Sequence, residues 1–460
     1  MLGRLLRKKP ITHHSHHSDL HRTLTAFDLT LMGIGAIIGA GVFVLTGVAA
    51  ATKAGPAVML SFVLAGIASM FAALAYAELA ASVGGTGSAY SYAFAGFGEL
   101  VAWIIGWNLI LEYAMSVATV AIGWSGYVSN FFESIGLPMP HAITANPFQG
   151  GDINLPAFLI IFAIGALLCV GIRQSAKFNN IIVAIKLSTI VFFIVIASMN
   201  INPANWHPFM PFGPMGVVQG AALVFFAYIG FDALSTAVEE AIEPQHSIPI
   251  GIIFSLIGCT IIYIIVSGLL TGIAPYQDLN VGSPVAKALL DIGYRSSAGI
   301  IAVGAIAGLT TVMLIMFYGL TRIILAMARD HLIPNSLATI HPTTKTPIRT
   351  IFVCGIIIAL VAGFSPIDKA AELVNIGTLA AFVFVCLGIV VLRITHPDLE
   401  RPFRLPFNPL IPLLGTGSCI YLMLNLSEVT WMRFVIWSIV GIALYFGYGY
   451  RHSIYRQKQH

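Results

Sequence analysis

Three ionisable side chains lie inside long apolar runs of the sequence: Glu112, Lys186 and Asp232. A charged group at membrane depth is costly, so a residue that carries one usually binds or moves a charged species. Lys186 lies about nine residues into its run, roughly 13 Å deep, and its ammonium must find carbonyls or a carboxylate. We therefore interpret all three residues as candidates for proton coupling.

Each of these candidates also has a structural interpretation. Glu112 could hydrogen-bond to a neighbouring helix, and Lys186 could be a fixed cation. Asp232 follows a glycine at position 230, and its carboxylate is expected to cap a half-helix that begins there. Four further glutamates near the ends of apolar runs are expected to lie on a solvated face or at a gate: Glu78, Glu239, Glu240 and Glu243.

Glycines interrupt two of the apolar runs. The sequence GIGAIIGAGVF at 33–43 is a poor helix former and predicts a break near Gly39-Ala40-Gly41, although closely packed membrane helices also use small residues. The sequence FFAYIGFD at 225–232 is a second interruption, five apolar runs later. Paired interruptions are typical of inverted repeats with a substrate site at the breaks. Such half-helices offer N–H groups to a carboxylate and carbonyls to an ammonium.

The composition indicates an integral membrane protein. Of 460 residues, 58% are hydrophobic and 9% are charged, and the mean hydropathy is +0.89, whereas soluble domains carry about 25% charged residues. A soluble enzyme and a nucleic-acid-binding protein are thereby excluded. A run of about 20 apolar residues can span a bilayer as a helix. Twelve such runs are predicted, at 27–51, 56–83, 98–127, 154–172, 178–200, 216–238, 248–274, 298–328, 349–364, 371–392, 409–427 and 431–450.

The predicted fold is all-α, with twelve transmembrane helices. It comprises an N-terminal tail (1–26), two five-helix repeats (27–200 and 201–393), helices 11 and 12 (394–450) and a C-terminal tail (451–460). Most of the 23 Lys and Arg residues lie on the cytoplasmic side if both termini are cytoplasmic.

The five cysteines show no disulfide or metal spacing, and the His cluster at 13–17 is interpreted as a mobile tail, with zinc binding as the alternative.

Several segments resemble the amino acid-polyamine-cation transporter superfamily, and within it the bacterial members of the cationic amino acid transporter family. The resemblance rests on LTAFDLTLMGIGAIIGAGVFVLTG at 24–47, GWNLILEY at 106–113, KFNNIIVAIK at 177–186, VFFAYIGFDALSTAVEE at 224–240 and TTVMLIMFYGLTR at 310–322. It extends nearly from end to end of the chain.

This resemblance implies a 5+5 inverted-repeat fold, alternating access and a bacterial plasma membrane. The N–H groups at positions 40 and 41 would bind the substrate carboxylate, carbonyls at 226, 227 and 229 would bind its amine, and the ring at 226 would close the site. Lys186 would stand where related sodium-coupled transporters bind sodium, and Glu112 matches the carboxylate of the third span. Eight residues are implied to form the substrate site: Ile37, Gly39, Ala40, Gly41, Phe226, Ala227, Ile229 and Met316.

One departure from the family concerns the substrate. Related sequences commonly have Thr or Ser between the two glycines of the first span, whereas this one has Ala40, so a hydroxyl for the carboxylate is missing. The bulk of Met316 favours small neutral amino acids such as alanine, serine or threonine, imported with protons. Arginine or lysine transport, or amino acid exchange, is the alternative. No cofactor or metal ion is expected, and lipids and a small accessory subunit are the further partners considered.

Other functional classes of membrane protein fit the sequence less well. Residues 123–126 (GWSG) match the GxSG motif of intramembrane serine proteases, but such an enzyme needs a histidine base, and all thirteen histidines lie in tails, loops or span ends. A channel filter such as TVGYG is absent, and so is the GxxxxGKS/T loop of an ATP-driven pump. Secondary transport is therefore the predicted function.

Overall fold

The computed structural model describes residues 24–82, 88–170, 176–232, 234, 241–342, 344 and 346–453. Helices and turns make up this part of the chain, apart from one isolated β-bridge between Leu24 and Ala241. The His cluster at 13–17, Glu239, Glu240 and the parts of the predicted tails before residue 24 and after residue 453 lie outside the described residues.

The apolar runs fold as helices because a backbone in lipid must satisfy its hydrogen bonds within its own segment. Among the described residues, seven segments are long and apolar enough to cross a membrane, and five shorter apolar helices accompany them. The all-helical class agrees with the prediction, while the number of spans and the repeat stay predictions. In chain order the principal helices are α1 (Ala26–Ile37), α2 (41–54), α3 (Val58–Ser82), α4 (Ser88–Gly96), α5 (Glu99–Ser134), α6 (Leu155–Val170), α7 (Ala176–Ser198), α8 (Gly213–Val224), α9 (Pro244–Ile273), α10 (Pro284–Asp291), α11 (Arg295–Arg329), α12 (Ile348–Phe364), α13 (Ile367–Thr395), α14 (Leu410–Leu424) and α15 (Glu428–Leu444).

Two long helices organise the packing. α5 and α11 have 36 and 35 residues, so each is on the order of 50 Å long at 1.5 Å per residue, and they pack against each other. α9 packs on α1 and α3, α8 packs on α3, and α13 packs on α5. The two helices that precede the glycine interruptions, α1 and α8, therefore pack against the longer helices α9 and α3.

The first interruption separates α1 from α2. α1 begins at a capping box, in which the Asp28 N–H donates to Thr25 Oγ1 over 3.2 Å and the Thr25 N–H donates to Asp28 Oδ2 over 3.1 Å. The helix stops because Ile38 is extended (φ −72°, ψ 103°), and helical dihedral angles return at Ala40. α2 then contains wide π-type turns at Gly41–Leu45 and Ala50–Ala54. The break lies just before the position that the sequence predicts.

The second interruption follows α8. The helix tightens into a 3₁₀ turn at Phe225–Tyr228, after which Ile229 is extended (φ −67°, ψ 139°). Gly230 then has a φ of 120°, which lies in the region that favours glycine. Asp232 follows two residues later. Since 235–240 lie outside the described residues, a capping role for Asp232 stays a prediction.

The expected solvated face at Glu78 is wrong. This side chain is 1% exposed, and its carboxylate accepts two hydrogen bonds from Arg393, Nε to Oε1 at 3.0 Å and Nη2 to Oε2 at 2.6 Å. Arg401 Nε lies 3.5 Å from Oε1, and the Leu405 N–H donates to Oε2 over 2.6 Å. Glu78 therefore ties α3 to the end of α13 and to the loop after it. Glu243, in contrast, is exposed.

Several boundaries differ from the predicted runs. The third run, predicted at 98–127, stays helical to Ser134, so α5 extends beyond its apolar part. α4 and α10 lie outside the predicted runs, because helices of 9 and 8 residues are too short for a search based on bilayer thickness.

Candidate functional site

The two helix interruptions face each other and are in direct contact. A Cβ atom added to Gly41 would lie 2.3 Å from the Cα of Ala227, and one added to Gly230 would lie 2.8 Å from the carbonyl oxygen of Ala36. Both distances are shorter than real Cβ contacts, so a larger residue at either position must push the breaks apart. The structure thus explains why glycine occupies both positions.

A small cavity of about 10 Å³ lies beside the two breaks. This is room for about one water molecule, so an amino acid can enter only when the walls move apart. Gly41 and Ala227 stand outside the lining, in contact with each other. Six predicted site residues line the cavity: Ile37, Gly39, Ala40, Phe226, Ile229 and Met316. Four lining residues were not predicted: Ala36, Ser116, Val120 and Val312.

The N-terminal end of α2 lies at this cavity. Because Ile38 is extended, no helical turn directly precedes α2. Its first N–H groups therefore lack the carbonyl acceptors that a continuous helix would supply one turn earlier. The N–H of Phe43 donates to Gly39 O over 3.4 Å, which marks where the hydrogen-bonded part begins. The preceding N–H groups and the positive end of the helix dipole can bind an anion such as a carboxylate.

The Lys186 ammonium binds two backbone carbonyls at the end of α1, beside the first break. Its side chain is 1% exposed, and Nζ donates to Gly35 O at 2.7 Å and to Ile38 O at 3.0 Å. Its methylene chain lies against Gly308 of α11, where an added Cβ would stand 2.9 Å from Lys186 Cγ. Within the described part of the chain, Lys186 forms no ion pair with a carboxylate.

Glu112 and Asp232 form a separate buried group, each 2% exposed. Tyr113 donates to Asp232 Oδ2 over 3.0 Å, and Glu112 lies within reach of the Thr378 hydroxyl. Glu112 Oε2 is buried without a hydrogen-bond partner among the described residues. The structure therefore divides the three coupling candidates between two places, with Lys186 in one and the carboxylates in the other.

Two residues that sequence reasoning missed bind the breaks. Tyr263 on α9 places its hydroxyl 3.0 Å from Ile37 O and 2.8 Å from Ala227 O, so one donor group serves both interruptions. Asn375 on α13 donates through Nδ2 to the carbonyls at 222 and 223, at 2.8 and 2.9 Å, at the end of α8. A buried tyrosine or asparagine in an apolar run was the only available signal, and it does not identify a partner.

Replacing Tyr263 with phenylalanine is expected to weaken substrate binding. The change leaves the carbonyls at 37 and 227 without their shared donor, which costs about 1–3 kcal/mol in stability. Because this donor also holds the two breaks in position, we expect the affinity for substrate to fall by roughly tenfold, or about 1.4 kcal/mol. Substrate affinity and thermal unfolding of the purified protein measure the effect.

The control for this prediction is Tyr445→Phe. The Tyr445 hydroxyl is also buried and donates to Glu99 Oε1 over 3.0 Å, away from the breaks. That variant is expected to lose stability and keep its affinity. Equal affinity losses in both variants would contradict a specific role for Tyr263.

The serine of the GxSG motif belongs to a structural contact. Ser125 is fully buried, and its Oγ donates to Asn154 Oδ1 over 2.6 Å. Asn154 Oδ1 also accepts the N–H of Ala157 over 3.3 Å, at the start of α6. This serine therefore joins α5 to α6, and no histidine is among its hydrogen-bond partners in the described residues.

The chain is similar to known transporters over almost its whole length. It matches the amino acid permease family over residues 24–447. It is 49% identical over 462 residues to the branched-chain amino acid permease BcaP of Bacillus subtilis (strain 168), covering 98% of this chain and 99% of that protein. It is 48% identical over 458 residues to the methylthioribose transporter of the same strain, with the same coverage. It is also 31% identical over 580 residues to cationic amino acid transporter 4 of Homo sapiens, covering 99% and 91% of the two chains.

Proposed function

Because the chain belongs to the amino acid permease family of the amino acid-polyamine-cation superfamily, we propose that it imports small neutral L-amino acids together with protons. It is a multi-pass membrane transporter and not an enzyme. The observation that carries the proposal is the contact between two interrupted helices beside a cavity whose lining includes residues of both.

The two breaks supply the groups that a zwitterion needs. The N–H groups at positions 40 and 41 bind the substrate carboxylate without the hydroxyl that Ala40 lacks. Carbonyls at 226, 227 and 229 bind the ammonium. Phe226 O already accepts the Ile229 N–H, and Ala227 O accepts the Tyr263 hydroxyl. A carbonyl oxygen has two lone pairs, so each can accept a second donor.

The wall of the cavity favours a neutral substrate side chain. Apart from Ser116, its described side chains are apolar, and they include Val120, Val312 and Met316. Among the described residues, no carboxylate lines the cavity to pair with the guanidinium of arginine. An apolar wall also suits branched-chain amino acids, and the name of the 49% identical relative makes these the second candidate.

Lys186 can carry the coupling proton at the first break. An ammonium donates three hydrogen bonds, whereas a neutral amine donates two, and the site offers two carbonyl acceptors. Both carbonyls therefore keep a donor when the proton leaves. The Glu112 and Asp232 group is the second place where a proton can reside, and Lys186 itself fills a position that would otherwise suit a sodium ion.

The same proposal includes the topology. Twelve spans arise if α1 and α2 together cross once and if the run predicted at 216–238 crosses once. The helices then form a 5+5 inverted repeat with two further C-terminal helices, and both termini are cytoplasmic. Opening and closing of the cavity by movement of one repeat against the other gives alternating access.

Competition binding to the purified protein tests the substrate class. The competitors against labelled alanine are serine, threonine, leucine, arginine and methylthioribose. We expect serine and threonine to compete at the lowest concentrations. Competition by arginine alone would contradict the neutral-substrate proposal, and failure of the folded protein to bind labelled alanine would contradict the proposed substrate class.

A further inference from the structure

The Ser116 hydroxyl is an unexplained polar group in the cavity wall. Ser116 is 2% exposed, and its Oγ is buried without a hydrogen-bond partner in the described part of the chain. It is also the one polar side chain among the described residues that line the cavity. A buried hydroxyl without a partner costs about 1–3 kcal/mol, so its presence requires an explanation.

Other helical hydroxyls near the cavity are satisfied locally. Thr119, three residues further along α5, donates to the carbonyl of Met115 over 2.8 Å. On α11, Thr310 and Thr311 donate to Ile306 O and Gly308 O, at 2.7 and 2.8 Å. These bonds to a carbonyl three or four residues earlier are the usual solution for a hydroxyl in a helix. Ser116 does not use it and keeps its donor available.

The contacts of α5 place Ser116 on the helix face that lines the cavity. Gly123 packs on α2, where an added Cβ would lie 2.7 Å from Val44 Cγ2 and 3.7 Å from the Cβ of Ala40. Ser116 precedes Gly123 by two turns, about 10 Å along the helix. It therefore lies on the same face of α5 as Gly123, and it lines the cavity together with Phe226 and Met316.

We propose that Ser116 determines specificity by hydrogen-bonding to a hydroxyl on the substrate side chain, so that serine and threonine are preferred over apolar amino acids of equal size. This proposal rests on the proposed function, because the carboxylate must occupy the N–H groups of α2 for the side chain to reach Ser116. A purely apolar wall discriminates poorly between a methyl group and a hydroxyl, whereas one well-placed polar partner discriminates between them.

Threonine and valine are the matched pair of ligands, since they have nearly the same shape and differ by a hydroxyl. Inhibition constants for both are measured against labelled alanine with the wild type, Ser116→Ala and Thr119→Val. We expect the wild type to prefer threonine by about tenfold. Ser116→Ala should reduce this preference to near unity, while Thr119→Val should keep it. Ser116→Ala removes a hydroxyl without a partner, so its thermal stability should not fall.

Three results would overturn the proposal. The first is an unchanged threonine-to-valine ratio in Ser116→Ala, and the second is an equal ratio in the wild type. The third is a wild type that is folded by size-exclusion chromatography and binds neither ligand nor alanine, which would also refute the proposed function. In the first two results alanine still binds, so they refute the role of Ser116 alone. Ser116→Cys provides a second variant of similar size, expected to show an intermediate ratio.

Discussion

Replacing Lys186 with methionine is expected to abolish pH-dependent uptake while substrate binding persists. Methionine keeps an unbranched chain against Gly308 but removes the donor to Gly35 O and Ile38 O. The group that we propose to carry the proton is then lost, whereas the N–H groups proposed to bind the carboxylate belong to the backbone. Uptake at several external pH values and equilibrium binding of the same amino acid measure the two effects separately.

Gly308→Ala provides an independent test of the same site. The added methyl group would lie 2.9 Å from Lys186 Cγ, so it must displace the side chain without changing its chemistry. We expect a weakened pH dependence rather than its complete loss. Gly258→Ala is the control, because its Cβ would meet only Ile34 Cδ1 at 4.0 Å. Wild-type pH dependence in Lys186→Met would remove this residue from coupling.

The second large effect is expected for Gly230→Ala, which should reduce uptake by about tenfold or more. Two costs add at this position, since φ is 120° and the new Cβ would lie 2.8 Å from Ala36 O. Backbone strain of this kind costs about 1–3 kcal/mol, and the contact forces the two breaks apart. Initial uptake rates in proteoliposomes, normalised to the amount of folded protein, measure the loss.

Two glycine controls separate the causes of this loss. Gly293 also has a positive φ, 92°, but an added Cβ meets nothing within 4 Å, so Gly293→Ala tests strain alone. Gly417→Ala tests the substitution itself, since that position is open and helical. Both variants are expected to transport normally. A transport-competent Gly230→Ala would show that the contact between the breaks is not needed.

The sequence allows the helical class and both interruptions to be predicted. Long apolar runs must be helical in lipid, and glycines such as Gly230 mark positions where the chain leaves the helix. The resemblance adds six of the residues that line the cavity, Ile37 and Met316 among them. The helices and their interruptions are predictable because they depend on local backbone chemistry.

The partners of the breaks are not predictable from a single sequence. Tyr263 contacts Ile37, which lies 226 residues away in the chain, and a tyrosine in an apolar run is equally compatible with simple packing. Ser116 has the same difficulty, because a small hydroxyl in a helix usually bonds to its own backbone. Glu78 was expected to be solvated. Its hydrogen-bond partner Arg393 lies 315 residues later in the chain, and the contact between the two depends on how the helices pack.

The most direct test of the central claim is uptake of labelled alanine and threonine into proteoliposomes with an imposed proton gradient, an imposed sodium gradient or neither. Wild-type protein is expected to accumulate both amino acids when protons flow inward, and a sodium gradient should not change its uptake. In Lys186→Met the proton gradient should not stimulate uptake. Sodium-driven uptake, or equal proton stimulation in the wild type and Lys186→Met, would contradict the assignment of a proton-coupled site at the first break.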